Sequence, residues 1–173
     1  MRVIAGEFRS RRIKSVPGLE VRPTPDRLRE ALFNVLAPRI AGTVFLDCYA
    51  GSGSVGIEAL SRGATRAIFI EKNGRALEAL RENLKSLGIE GRATVSRTLR
   101  KEDVADIAFI DPPYHLEGEY RSALETLSAG CGFVVAQHAT RFTLETSYGR
   151  LKKMRVLRQG DNCVSFFEAS AGE

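Results

Sequence analysis

Two stretches of this 173-residue chain combine residue types that can do chemistry. The first is Asp111-Pro112-Pro113-Tyr114. Two consecutive prolines fix φ and remove two backbone donors. The corner is therefore stiff and rich in acceptors, namely the Asp111 carboxylate and the Pro112 carbonyl. Tyr114 adds a flat aromatic face. Such a corner can hold the exocyclic amino group of a nucleobase, accepting its hydrogens while the base stacks on the ring. An aromatic amine is a poor nucleophile because its lone pair is delocalised. Acceptors aimed at its hydrogens favour a pyramidal nitrogen and stabilise the charge that develops as it attacks a methyl-sulfonium. Alignment of the reacting atoms supplies much of the rest. No metal is needed, and Asp111 need not be a strong base. Prolines are common at strand ends, so Pro-Pro alone says little; the four residues together say more.

The second stretch is Asp47-Cys48-Tyr49-Ala50-Gly51-Ser52-Gly53-Ser54-Val55-Gly56. Gly51, Gly53 and Gly56 fit G-x-G-x-x-G between a strand and a helix, and Glu71 ends the next strand. The glycines allow a tight turn and close approach of a ligand, and an acid at that distance can accept both hydroxyls of a ribose. A nicotinamide dinucleotide would bring a pyrophosphate anion, to which Asp47 is poorly suited. A carboxylate beside the loop suits S-adenosylmethionine, which has a ribose, an ammonium group and a sulfonium. The chain is also short for a dehydrogenase with a second nucleotide half. His115 and His138 read as structural or exposed. Cys48, Cys131 and Cys163 are odd in number, lack C-x-x-C spacing and read as buried small hydrophobes.

Both stretches need a scaffold, and the hydrophobic pattern supplies it. Residues 2–5 and 11–16 read as two short strands of a hairpin. Thr24-Pro25-Asp26 reads as a helix start, with a capping hydroxyl, proline at the first helical position and a carboxylate in the first turn. Leu28, Ala31, Leu32, Val35 and Leu36 repeat at helical spacing until Pro38. From residue 43 strands and helices alternate. Strands are expected at Val44–Cys48, Ala67–Ile70, 93–95, 107–110 and 133–136. Helices are expected at 53–62 (with Val55, Ala59 and Leu60 on one face), from Asn73 to a stop at Gly88, and at 118–128. Residues 142–148, 152–158 and 162–168 read as an antiparallel finish. The alternation predicts an α/β fold with a mostly parallel sheet, both motifs lying at carboxyl ends of strands. The expected division is a basic extension, residues 1–42, on a core of residues 43–173.

Charge is unevenly placed. The net charge is +5, with a pI near 9.4. Residues 1–29 hold eight basic side chains against Glu7, Glu20 and Asp26, so the excess sits there. Residues 141–158 are basic again, six against Glu145. Arginine's planar fork suits phosphate, which points to nucleic acid. No run of about 18 apolar residues is present and the charged start is not a signal peptide, so a reduced, cytoplasmic setting is expected.

The order of motifs resembles one family over nearly the whole chain. Residues 22–34 (RPTPDRLREALFN), residues 46–64 (LDCYAGSGSVGIEALSRGA) and Asp111–Tyr114 are similar to the RsmD-like methyltransferases, which methylate N2 of a guanine in bacterial 16S ribosomal RNA. The resemblance implies a Rossmann-like class I fold with seven strands and an amino-terminal hairpin and helix. It implies S-adenosylmethionine as methyl donor, held by Asp47, Gly51, Gly53 and Glu71, and Tyr49 and Lys72 beside them are expected to join the cofactor site. It implies Asp111, Pro112 and Tyr114 around the guanine. Arg2, Arg9, Arg11, Arg12, Lys14, Arg22 and Arg27 would hold RNA phosphates. The expected partner is 16S rRNA, naked or within a partly or fully assembled small ribosomal subunit, met by a monomer. Where the family often has an aspartate after the third strand, this chain has Ser96-Arg97-Thr98, and Tyr49 replaces the more usual phenylalanine. An adenine-N6 methyltransferase of DNA or RNA, and a non-catalytic RNA-binding protein of this fold, remain alternatives.

Overall fold

The computed structural model describes residues 1–16, 25–113 and 115–170. Thr24, Arg22 and Tyr114 lie outside the described residues. The chain forms two compact units, Met1–Thr98 and Leu99–Glu173. No described helix is long and apolar enough to cross a membrane.

In the first unit, strands β1 (Val44–Cys48), β2 (Arg66–Ile70) and β3 (Ala93–Ser96) pair in parallel in the order β3-β2-β1. Parallel neighbours require a helical crossover between them. Helices α2 (Ser54–Ser61) and α3 (Gly74–Leu87) supply it. The Asn73 side chain accepts from the backbone N–H of Arg75 and Ala76, and Gly88 ends α3 at φ 68°, as the sequence predicts. Helix α1 (Asp26–Leu36) begins one residue later than expected. Pro25 takes the cap position and caps with no side chain. Its buried face is Leu28, Arg29, Leu32, Phe33 and Leu36; Ala31 and Val35 are only half-buried. Phe33 packs against Phe45 of β1, with ring centroids 6.3 Å apart.

All eight residues of α2 are buried, where periodicity predicted one apolar face. One side packs on β1 and β2. The amino-terminal segment covers polar residues of α2. The N–H groups of Ile4 and Ala5 donate to the two Glu58 carboxylate oxygens (2.8 and 3.0 Å), and Phe8 N–H donates to Ser61 Oγ. A Cβ on Gly6, at φ 83°, would stand 1.8 Å from the Ser61 carbonyl oxygen, so only glycine permits that approach. This contact corrects the expected hairpin strands. Residues 2–5 and 11–16 meet at a single antiparallel bridge, Arg2 with Arg12. Backbone donors that would extend a ladder go instead to Glu58, Ser61 and, from Lys14, to Asn83 Oδ1.

In the second unit, β4 (Ala105–Ile110) and β5 (Cys131–Ala139) are parallel, with Ile110 opposite Ala136, and α4 (Glu117–Leu127) joins them. The finish is antiparallel: β5 pairs with β8 (Asn162–Ala169), β8 with β7 (Leu151–Gln159), and β7 with β6 (Ser147–Tyr148). The expected strand at 142–148 shrinks to Ser147–Tyr148. Lys153 N–H donates to the Thr146 carbonyl, which keeps the preceding chain beside β7 without a ladder. The described residues thus form eight strands, against the seven expected; β6 is the short addition. All three cysteines are buried, and burial pushes the Cys131 thiol up to about 11, so it stays protonated.

Candidate active site

The glycine loop leaves β1 through an unusual backbone. Tyr49 sits at φ 62°, a region where a bulky residue is uncommon and strained unless its surroundings hold it. Gly51 and Gly53 follow at φ 57° and 86°. The three motif glycines serve different ends. A Cβ on Gly53 would stand 2.3 Å from Leu80 Cδ1 of α3, and one on Gly56 would stand 2.3 Å from the Phe69 ring of β2. Those two positions let the loop and α2 pack closely. A Cβ on Gly51 would meet nothing among the described residues within 4 Å. There the loop leaves room beside its backbone, as a ligand needs.

Three polar side chains shape this loop. Glu71 accepts the Gly51 N–H at 2.7 Å with one oxygen and the Asn73 N–H at 2.8 Å with the other. The acid expected to hold a ribose is thereby set against the first glycine. Asp47 is 2% exposed and accepts the Gly56 N–H at 2.8 Å, in the first turn of α2. Burial pushes its carboxyl up to about 7; the Glu71 charge adds to the rise and the Gly56 hydrogen bond opposes it. Asn83 of α3, unrecognised in the sequence, is buried and donates to the Ser52 carbonyl (2.9 Å) and the Lys14 carbonyl (3.0 Å). It joins the glycine loop to the basic segment. Its only sequence signal was an amide on the buried stripe of an amphipathic helix. Lys72 is exposed, and its carbonyl accepts from Arg97 at 3.1 Å. Ser96 and Thr98 bond to each other beyond β3.

In the second unit the Asp-Pro-Pro corner follows β4 directly. Asp111 is half-buried, Pro112 buried and Pro113 half-buried. The Pro113 carbonyl accepts the Leu116 N–H at 2.8 Å, which turns the chain towards α4. Gln137 of β5, also unrecognised in the sequence, donates from Nε2 to Asp111 Oδ2 at 3.1 Å. The neighbouring His138 is structural, as expected. It is 4% exposed, its Nδ1 faces the Ala139 carbonyl and its Nε2 faces the Ser165 hydroxyl, and burial lowers its pKa. That arrangement fits a neutral ring with its proton on Nδ1.

The basic side chains divide into two groups. Arg2 bonds the Ser10 carbonyl, Arg11 the Ser86 carbonyl and Lys14 the Glu82 carboxylate. The side chains of Arg9, Arg12 and Arg27 are exposed and make no hydrogen bond or ion pair among the described residues. Of the expected phosphate-binding residues that are described, these three keep their charge unengaged within the described residues.

The family described as Conserved hypothetical protein 95 matches residues 1–168. The chain is 34% identical over 186 residues to "Putative rRNA methyltransferase YlbH" of Bacillus subtilis, covering 97% of this chain and 98% of that one. It is 40% identical over 119 residues to "Ribosomal RNA small subunit methyltransferase D" of Escherichia coli, covering 66% of this chain and 60% of that one. Among solved structures it resembles "Putative methyltransferase yhhF" of Escherichia coli with a TM-score of 0.87 and 32% identity over 99% of each chain. The fold is thus the α/β, Rossmann-like fold of class I methyltransferases.

Proposed function

Because this chain belongs to the RsmD-like methyltransferase family, described as Conserved hypothetical protein 95, we propose that it moves a methyl group from S-adenosylmethionine to the exocyclic N2 of a guanine in 16S ribosomal RNA. It is a methyltransferase, and its relatives' names support ribosomal RNA of the small subunit as substrate. The observation that carries the exocyclic-amine reading is the Asp111-Pro112-Pro113 corner at the carboxyl end of β4, where ligands bind in parallel α/β sheets; the choice of guanine over adenine rests on the family resemblance.

The residues fit the methyl donor. Glu71 beside Gly51 suits ribose hydroxyls, the room at Gly51 admits a ligand close to the backbone, and Asp47 suits a cationic group. Tyr49, Gly53 and Lys72 complete the proposed set. Bound there, S-adenosylmethionine supplies an electrophilic methyl on a sulfonium. The chain's own residues do the rest. Asp111 and the Pro112 carbonyl accept the amine hydrogens, orient the nitrogen lone pair and stabilise its developing positive charge. Tyr114 offers a face for the base to stack on. A target in a loop or splayed from its stack is required, since a duplex hides the amine.

Residues 1–42 serve in this reading as an RNA-gripping extension of a methyltransferase domain, residues 43–173. The extension engages phosphates, which position the RNA without reading sequence. The test is labelled methyl transfer to small ribosomal subunits from a deletion strain, followed by digestion to nucleosides. N2-methylguanosine supports the proposal; N6-methyladenosine overturns it in favour of the adenine reading. D111A should sharply reduce transfer while S-adenosylmethionine binding by calorimetry persists. Unchanged turnover in D111A would remove the role assigned to that carboxylate.

A further inference from the structure

Gln137 donates a hydrogen bond to the Asp111 carboxylate, and it is oddly placed for stability. It stands in Phe133-Val134-Val135-Ala136-Gln137, the buried run of β5, and is itself 2% exposed. Register explains the meeting. Ile110 of β4 lies opposite Ala136 of β5, so the next residues, Asp111 and Gln137, stand side by side where the parallel pair ends. Corresponding positions on neighbouring strands point to the same face. The amide has one workable orientation: Nε2 towards the carboxylate, because the reverse would set oxygen against oxygen. That leaves Oε1 buried with no hydrogen-bond partner among the described residues. A buried unpaired acceptor costs stability, because its water partners are lost and not replaced. Methionine has the same reach and no such penalty, so packing does not account for glutamine here. Rules of local stability are characteristically broken at functional sites.

We propose that Gln137 is a positioning residue for methyl transfer: its amide N–H fixes the rotation of the Asp111 carboxylate, so that the substrate amine meets an acceptor already aimed. The proposal rests on the role given to Asp111 above and extends it to the neighbouring strand. The terminal χ2 torsion of a carboxylate has a broad, shallow preference, so a donor on one oxygen narrows its orientation, and preorganisation of the acceptor is what makes it effective in the transition state.

The experiment compares wild type, Q137M, D111A and the double variant on small ribosomal subunits lacking the methyl group. It reads kcat, KM for the subunit, the Kd of S-adenosylmethionine and the Tm. Q137M should lower kcat by about tenfold or more, leave S-adenosylmethionine binding within twofold, and keep or raise the Tm, since it removes an unpaired buried oxygen. In the D111A background, Q137M should have no further effect on single-turnover rate, because a group that acts through Asp111 has nothing left to position. Q137M with wild-type kcat, while D111A is impaired, overturns the proposal and leaves the function standing. A fall in kcat that accompanies a lowered Tm and recurs undiminished in D111A also overturns it, as a structural effect. Full activity in D111A removes the premise, and the proposal with it.

Discussion

At the scale of single residues, the Asp47 carboxyl is set by opposed effects. The N-terminal turn of α2 and the Gly56 N–H favour its anion, yet burial prevails and lifts it to about 7. A carboxyl whose folded pKa lies above its unfolded value of 3.8 makes the folded state hold the proton more tightly. Stability is therefore lost as pH rises from about 4 towards 7, and is flat above that. D47N should escape this loss while still accepting the Gly56 N–H. Its Tm relative to wild type should climb between pH 5 and pH 8, corresponding to roughly 2–3 kcal/mol at about 1.4 kcal/mol per unit. Thermal melts across that range check this; a constant difference would contradict it. If Asp47 meets the cationic part of S-adenosylmethionine, the same variant should bind the donor more weakly at pH 8, seen by calorimetry.

At the scale of elements, the amino-terminal segment is held by charge as well as by its few apolar anchors, Val3, Phe8 and Ile13. Glu58, fully buried on α2, accepts from Ile4 and Ala5 and pairs with Arg62 at 2.7 Å. Arg29, fully buried on α1, donates to the Arg2 carbonyl at 2.7 Å and to Asp26 at 3.0 Å, leaving Nε unpartnered among the described residues. Burial lowers the Arg29 pKa, and the Glu58 charge opposes that. Truncating one member of such a buried set leaves uncompensated charge and typically costs about 3–5 kcal/mol. E58A should destabilise the protein by that order in denaturant titration. It should also raise amide exchange at Ile4 and Ala5 more than in α3. Equal protection in the variant would show that apolar contacts alone hold the segment.

At the scale of the whole molecule, the excess charge of the first 29 residues is only partly available to a partner. Arg2, Arg11 and Lys14 are engaged within the protein, and Arg29 is buried. Arg9 and Arg12 have no such partners among the described residues. Phosphate binding releases counterions, so affinity falls with salt by a slope set by the number of contacts. Replacing Arg9 and Arg12 with alanine should weaken RNA binding and flatten that slope by about one to two units, with the melting temperature little changed. Filter binding from low to physiological salt reads both. Parallel slopes for wild type and variant would remove these arginines from the interface.

The alternation of strands and helices, the glycine spacing, the caps at Asn73 and Gly88, and the Asp-Pro-Pro corner were legible because each is local. Backbone dihedrals, turn chemistry and hydrophobic period act within a few residues, and the order of motifs carried the family. What pairs with what was not local. The ties of Ile4 and Ala5 to Glu58 that help bury α2, the Asn83 tie between loop and basic segment, and the meeting of Gln137 with Asp111 all join residues at least 26 apart. A buried polar side chain looks the same in sequence whether it stabilises a segment, shapes a loop or aims a carboxylate. Only packing, which removes water and leaves each donor one available acceptor, distinguishes those roles.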